Sequence, residues 1–237
     1  MRVHEQVVWD EEPRGMRCSS HYSEDLSPDS SVGFRSSQLS DKSVDFISGL
    51  GKLKMIPRTG WVSHGIVLQE VESVAEHTFS TSTLAMLLAD MEVKDGRHVD
   101  VERVLRMALL HDLAEALTFD INKSYLEYLG RRGAAIKRQI EQAAWNHMIG
   151  SIRKSIRTKY EELQSEFNAE ETFESQIVHA ADKLDILFQA VAYHRKGYPR
   201  RMLASLWKST NRNLAGVKIR SVNDLRKIAF RLYEDAI

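Results

Sequence analysis

Histidine and carboxylate residues recur on helix faces that are otherwise apolar, which is the pattern of a buried metal or acid–base site. A lone histidine in such a position is more often a hydrogen-bonded core residue than a ligand. A whole set is harder to explain that way, because burying several carboxylates without partners costs many kcal/mol and a divalent cation is an efficient common partner. The residues concerned are His77, His111, Asp112, Glu115 and Asp182.

The segments that carry these residues are predicted to be helices of an all-α domain. Ser73 and Glu76 form a capping box before His77, and Asp100 caps a helix that runs to about Ala116. Prolines stand only at positions 13, 28, 57 and 199, and no stretch alternates persistently with period two. Further helices are predicted at about 132–149, 151–167, 172–195, 199–209 and 222–233, together with a first helix that has Val44, Ile47, Leu50 and Leu53 on one side.

Residues 1 to 40 differ from the rest of the chain. The serine-rich segment from Cys18 to Ser43 has few apolar residues, so it cannot bury enough surface to offset the entropy of ordering. We expect a flexible tail at 1–40, either regulatory or an unselected extension, and a catalytic domain at 41–237.

Composition excludes several classes of partner. The 237 residues hold 33 basic and 33 acidic side chains without a long run of one sign, so we expect no binding to nucleic acid polymers or to anionic membranes. No apolar run is long enough for a signal peptide or for a membrane-spanning helix. A single cysteine, Cys18, allows no intramolecular disulfide and fits a reducing compartment, so the expected location is cytoplasmic.

The local sequences around the histidines and aspartates resemble a known family. Their order, His77, then His111-Asp112, then Asp182, is similar to the H…HD…D signature of HD-domain phosphohydrolases. The match extends to the branch of 5′-deoxynucleotidases and covers residues 41–200. It is carried by the segments ESVAEHT (72–78), LHDLAE (110–115), HAADKL (179–184), LKMIPRTGWV (53–62) and HDLAEALTFDI (111–121).

The resemblance implies a helical bundle around one metal ion held by His77, His111, Asp112 and Asp182. This mixed nitrogen and oxygen set suits Mn²⁺, Co²⁺, Zn²⁺ or Fe²⁺, and affinity order alone does not choose among them. Glu115 is expected to orient or deprotonate an attacking water; the alternative is that it holds a ligand histidine in place.

Residues around the metal are expected to bind the substrate. Asp120 is implied to act near Glu115 and to contact the sugar. Arg58 is the best candidate for the phosphate, because its planar guanidinium matches phosphate oxygens. Trp61 either stacks on a nucleobase and walls the pocket or is an ordinary core tryptophan; Thr59 and Gly60 separate it from Arg58, whereas in relatives an arginine and a tryptophan are adjacent.

The expected reaction is release of the 5′-phosphate from a deoxynucleoside monophosphate by a homodimeric enzyme. One alternative keeps the metal but takes a triphosphate, a cyclic nucleotide or an alarmone as substrate; a triphosphate enzyme should need a larger basic cluster, which the linear sequence does not show. A second alternative is a non-catalytic nucleotide sensor or scaffold stabilised by the metal.

Overall fold

In a computed structural model of the chain, residues 41–122, 125–126 and 128–235 are described, and they form helices joined by short turns. Within these ranges no strand forms; an isolated antiparallel bridge pairs Pro57 with Ser73. The expected all-α fold is therefore confirmed. The flexible tail predicted for residues 1–40 lies outside the described residues, and the division of the chain at residue 40 stays a prediction.

The helix bounds agree with the sequence pattern to within a few residues over most of the chain. The side chain of Ser73 caps a helix in a complete capping box with Glu76, as predicted, and Asp100 and Thr172 cap two others. The elements are α1 (Asp41–Leu53), α2 (Thr59–Ser63), a 3₁₀ turn (Leu68–Glu70), α3 (Val74–Lys94), α4 (Val101–Leu110), α5 (Glu115–Thr118), α6 (Arg131–Gly150), α7 (Lys154–Ala169), α8 (Phe173–Arg195), α9 (Arg200–Ala215) and α10 (Arg220–Glu234).

The helix predicted to run from Asp100 to about Ala116 is in fact interrupted after Leu110. The amide of Leu113 donates to the carbonyl of Leu110 at 3.1 Å, and that of Glu115 donates to the carbonyl of Asp112 at 3.0 Å. These are three-residue hydrogen bonds, which wind the chain at about 3.0 residues per turn and turn successive side chains further than an α-helix does. His111 consequently ends α4, while Glu115 begins a separate short helix.

Helix α8 is the centre of the main core. It packs against α3, α4, α9 and α10, and its buried residues include Val178, Ala181 and Leu184. Each large apolar side chain buried in this way contributes about 1.5–3 kcal/mol. The packing brings α3, α4 and α8 side by side, so that residues far apart in sequence meet.

A second core lies under α1, α5 and α6. Leu53 and Phe46 pack there, and a Cβ atom on Gly49 would collide with the Met148 side chain. By contrast Ile47 and Leu50, which the sequence places on the same side as Leu53, are exposed. The inward face of α1 is therefore rotated from the predicted stripe. None of the helices that the structure describes is both long and apolar enough to cross a membrane.

Candidate metal centre and active site

His77 is held in a fixed orientation in the first turn of α3. The side chain is fully buried, and its Nδ1 lies 2.7 Å from Oδ2 of Asp185 on α8. A carboxylate oxygen accepts, so Nδ1 carries the proton and Nε2 faces the interior of the site. There Nε2 lies 3.2 Å from Oδ1 of Asp182 and 3.5 Å from Oδ2 of Asp112.

His111 is oriented in the same way at the end of α4. Its Nδ1 lies 2.7 Å from the carbonyl oxygen of Ala108, which can only accept, so Nδ1 again carries the proton. Its Nε2 lies 3.2 Å from Oδ2 of Asp112 and 3.4 Å from Nε2 of His77. The four predicted ligands, which come from α3, the turn after α4, and α8, thus lie around the two Nε2 atoms.

The arrangement fits a bound cation. The Nε2 atoms of His77 and His111 lie 3.4 Å apart. Their lone pairs repel each other unless a proton or a metal ion binds there, and the nearby carboxylates favour such a positive charge. Burial and the charge of Arg58 lower the pKa of His77, yet the hydrogen bonds to Asp182 and Asp185 outweigh them and raise it to about 10. The site therefore favours positive charge at Nε2, and His77, His111 and Asp182 each offer one ligand atom within 4.8 Å of the others. A divalent ion with mixed nitrogen and oxygen ligands suits this set.

The carboxyl groups of the site divide into two kinds. Burial alone would raise the pKa of Asp112, but the charges of His111 and Arg58 hold it well below its ordinary value; His77 and His111 do the same for Asp182. Glu115 behaves in the opposite way, because burial and the charge of Asp112 raise its pKa well above the ordinary value. A carboxyl group with raised proton affinity suits proton transfer better than metal binding.

Arg58 is brought to the site by local backbone pairing. The amide of Arg58 donates to the carbonyl of Glu72 at 2.9 Å, next to the bridge between Pro57 and Ser73 at the start of α3. Its Nη1 then lies 3.2 Å from Oδ2 of Asp112 and 3.7 Å from Oε2 of Glu115. Among the residues that the structure describes, that Glu115 oxygen is buried without a hydrogen-bond partner. A guanidinium and a carboxylate oxygen that accepts no hydrogen bond within the described residues therefore lie beside the two imidazoles.

Asp120 is fixed from the start of α2. The amide of Thr59 donates to Oδ2 of Asp120 at 2.7 Å, the Thr59 hydroxyl donates to the Asp120 carbonyl at 2.6 Å, and Nη1 of Arg58 lies 3.7 Å from Oδ1. The preceding residue, Phe119, has φ 58° and ψ 172°, a conformation that is almost restricted to glycine and is strained by about 1–3 kcal/mol elsewhere. The hydrogen bonds from Thr59 hold this strained turn and direct Asp120 at the site.

Trp61 packs as a core residue at the edge of the site. It is 2% exposed, its Nε1 donates to Oε1 of Glu72 at 2.7 Å, and its ring contacts Tyr193 edge to face. Because Thr59 and Gly60 intervene, Trp61 lies three residues beyond Arg58, and its amide donates to the Arg58 carbonyl at 3.0 Å. These contacts account for the tryptophan without a base; the stacking role expected for it stays a prediction.

A cavity of about 590 Å³ extends from the group formed by His111, Asp112 and Asp182. It is within the usual range for small-molecule sites. Its lining includes cationic residues that the linear sequence does not bring together. The arginines and lysines that line the cavity are Arg58, Lys137, Arg138 and Lys183.

Two buried carboxyl groups of the site, those of Asp185 and Glu72, were not predicted from the sequence. Asp185 orients His77, and its signal in the sequence is its position one turn after Asp182 on the same helix. Glu72 is buried beside Trp61; burial and the charge of Asp185 raise its pKa to about 7. His64, which was not predicted to belong to the site, also lines the cavity, and its Nδ1 lies 2.7 Å from the carbonyl oxygen of Gly60.

The chain is similar to proteins of known sequence and to solved structures. A 5′-deoxynucleotidase from Danio rerio is 31% identical over 163 residues, covering 68% of this chain and 75% of that protein, and one from Dictyostelium discoideum is 30% identical over 65% of this chain and 78% of that protein. The structure of a conserved hypothetical protein from Pyrococcus furiosus covers 81% of this chain and 99% of its own, with 32% identity and a TM-score of 0.64. The family model for the HD domain matches residues 50–219, and the chain belongs to the HD-domain family.

Proposed function

We propose that this chain is a metal-dependent 5′-deoxynucleotidase that hydrolyses deoxynucleoside monophosphates to deoxynucleoside and phosphate. The observation that carries the proposal is the convergence of Arg58 Nη1, 3.2 Å from Asp112 and 3.7 Å from Glu115, with two imidazole Nε2 atoms 3.4 Å apart. The curated relatives named 5′-deoxynucleotidase support the choice of substrate.

His77, His111, Asp112 and Asp182 would hold the metal ion. When bound, a divalent ion supplies Lewis-acid polarisation of the phosphoryl group and makes water more acidic. Mn²⁺, Co²⁺, Zn²⁺ and Fe²⁺ all suit the ligand set.

Glu115 would accept the proton of the attacking water. Two observations support this role over that of a support for a histidine: the raised pKa of Glu115, and its buried Oε2, which has no hydrogen bond among the described residues and lies beside Arg58. In addition, both histidine Nδ1 atoms already have other partners. Proton transfer by a positioned carboxylate contributes about 10²–10⁴-fold to a rate.

Arg58 would stabilise the phosphoryl oxygens as negative charge develops on them. Its guanidinium remains charged at any relevant pH, because the carboxylates of Asp112, Asp120 and Glu115 raise its pKa although burial lowers it. Asp120, fixed through Thr59, would meet the sugar of the substrate. A nucleobase that contacted Trp61 would meet a side chain that is already packed against Tyr193 and hydrogen-bonded to Glu72.

One observation supports the alternative that the substrate is a larger nucleotide. Lys137, Arg138 and Lys183 line the same cavity as Arg58, so a basic cluster larger than the linear sequence suggests is available. The names of the relatives favour the monophosphate, and a substrate panel separates the two. The expected homodimer and cytoplasmic location stay predictions.

Phosphate release from deoxy- and ribonucleoside monophosphates and from a deoxynucleoside triphosphate tests the proposal. The metal-stripped protein is assayed with added Mn²⁺, Co²⁺ or Zn²⁺, together with Asp112→Ala and Glu115→Gln. We expect metal-dependent release from the deoxynucleoside monophosphates, loss of that release in Asp112→Ala, and a fall of at least about a hundredfold in kcat in Glu115→Gln. Asp224→Ala, which removes an exposed carboxylate of α10, is the control and should retain full activity.

Three results would contradict the proposal in different ways. Metal binding without release from any nucleotide indicates the sensor or scaffold. Release from the triphosphate alone indicates the larger substrate. Equal activity of Asp112→Ala and the unaltered protein would place the chemistry at another site.

A further inference from the structure

A lysine of α6 lines the cavity and has no role in the proposed mechanism so far. Lys137, Glu141 and Trp145 follow at intervals of four residues, and all three line the cavity. Trp145 is buried in the second core and fixes the orientation of this helix face. Lys137 therefore lies on the helix face that lines the cavity, two turns or about 12 Å along the helix from the buried Trp145.

The environment of Lys137 is unusual for a surface lysine. Its side chain is only 19% exposed, and Nζ lies 2.5 Å from Oε1 of Glu141. Burial lowers the pKa of Lys137, but the hydrogen bond and charge of Glu141, followed by the charges of Glu115 and Asp112, raise it above its ordinary value. The ammonium group is thus charged, and it is attracted by the carboxylates of Glu115 and Asp112.

The charges of the site leave a need for a second cation. Four carboxyl groups lie at the end of the cavity that holds His111: those of Asp112, Glu115, Asp120 and Asp182. Arg58 already forms ion pairs with the first three. A phosphomonoester brings close to two further negative charges at neutral pH. One guanidinium and one divalent ion do not offset this total.

We propose that Lys137 binds the phosphate of the substrate and exchanges Glu141 for a phosphoryl oxygen when the substrate enters. The inference rests on the proposed function for the identity of the phosphate. A lysine suits such an exchange, because its four-carbon stem is flexible and its three donors need no fixed plane. Glu141, which also lines the cavity, holds the ammonium group in the absence of substrate and competes with the phosphate.

Binding of inorganic phosphate to the Mn²⁺-loaded protein, measured by calorimetry, tests this directly, alongside the KM for deoxyadenosine monophosphate. Lys137→Met keeps the apolar length of the side chain and removes its charge. We expect the Kd for phosphate and the KM to rise by about ten- to a hundredfold, as for one charge-assisted hydrogen bond, with unchanged Mn²⁺ affinity. Glu141→Gln should lower the Kd for phosphate, because it removes the competitor. Lys227→Met, in an exposed pair with Asp224 on α10, is the matched control and should change neither quantity.

Several outcomes would overturn the proposal. A Kd for phosphate within twofold of the unaltered protein in Lys137→Met removes the phosphate contact. Equal weakening in Lys137→Met and Glu141→Gln, or a parallel loss of Mn²⁺ affinity, shows that the pair supports the helix instead. The phosphate Kd is measured without turnover, so an unaltered protein that hydrolyses no monophosphate would refute the proposed function and still leave this comparison decisive.

Discussion

Replacing Asp185 by asparagine tests whether the metal site depends on the negative charge of the carboxylate that supports His77. Asp185 lies on α8, one turn beyond Asp182, and its Oδ2 is 2.7 Å from Nδ1 of the fully buried His77. Asparagine has nearly the same shape and its side-chain oxygen can still accept from Nδ1. In the unaltered protein, the negative charge of Asp185 fixes the imidazole of His77 and makes its Nε2 a better metal ligand. The substitution removes that charge.

The size of the effect follows from supporting carboxylates in other metal sites, whose loss weakens metal binding by about 10–100-fold. At a metal concentration one hundred times the Kd, binding stabilises the folded protein by about 2.7 kcal/mol, which corresponds to a rise in Tm of about 5–11 °C for a chain of this size. A tenfold weaker site gives about 1.4 kcal/mol and a rise of about 3–6 °C at the same concentration.

The assay is the rise in Tm on adding Mn²⁺ or Zn²⁺ to the metal-stripped protein, with calorimetry for the Kd. Each variant is compared with its own metal-free form, so that a change in intrinsic stability cancels. Asp224→Asn, on the exposed face of α10, is the control. A metal-induced rise in Asp185→Asn equal to that of the unaltered protein would refute the reasoning, and so would an equal reduction in the control.

Two further predictions concern stability away from the ligands. Glu166 accepts hydrogen bonds from Arg103 and Thr172, and these interactions lower its pKa below the ordinary value of 4.5 although burial raises it. A lowered pKa stabilises the fold above pH 4.5, and the contribution disappears as the pH falls through the folded pKa. In urea unfolding at pH 7, the free energy of unfolding of Glu166→Gln should therefore be lower by about 0.5–1.5 kcal/mol; the loss is modest because solvent screens the half-exposed Arg103. The difference in free energy from the unaltered protein should shrink below pH 4.5. A difference that does not change with pH would contradict this prediction. Phe119→Gly relieves the strain of a positive φ at an exposed residue, so the free energy of unfolding should rise by up to about 1 kcal/mol. The kcat should fall, because the more flexible glycine holds Asp120 less firmly. A lower free energy of unfolding would show that the Phe119 ring, and not its backbone conformation, determines stability there.

The sequence was a good guide wherever the signal is local. Capping by Ser73 and Asp100 depends on a few consecutive residues, and both caps form as predicted. The break after Leu110 was not predicted, because His111 to Ala114 include no glycine or proline, the residues that ordinarily end a helix. The face of α1 was also misassigned, since Ile47 and Leu50 are as apolar as the residues that the second core buries.

By itself the sequence determined the helices, the family and the residue types of the site, because periodicity, caps and short motifs are properties of neighbouring residues. It also pointed to His77, His111, Asp112 and Asp182 as one set. Only the tertiary structure decided the partners that act across the chain: Asp185 against His77, Arg58 against Glu115, and Lys137 in the same cavity. Those pairings depend on how α3, α6 and α8 pack, and packing is fixed by the shapes of buried side chains on separate helices, which no single stretch of sequence encodes.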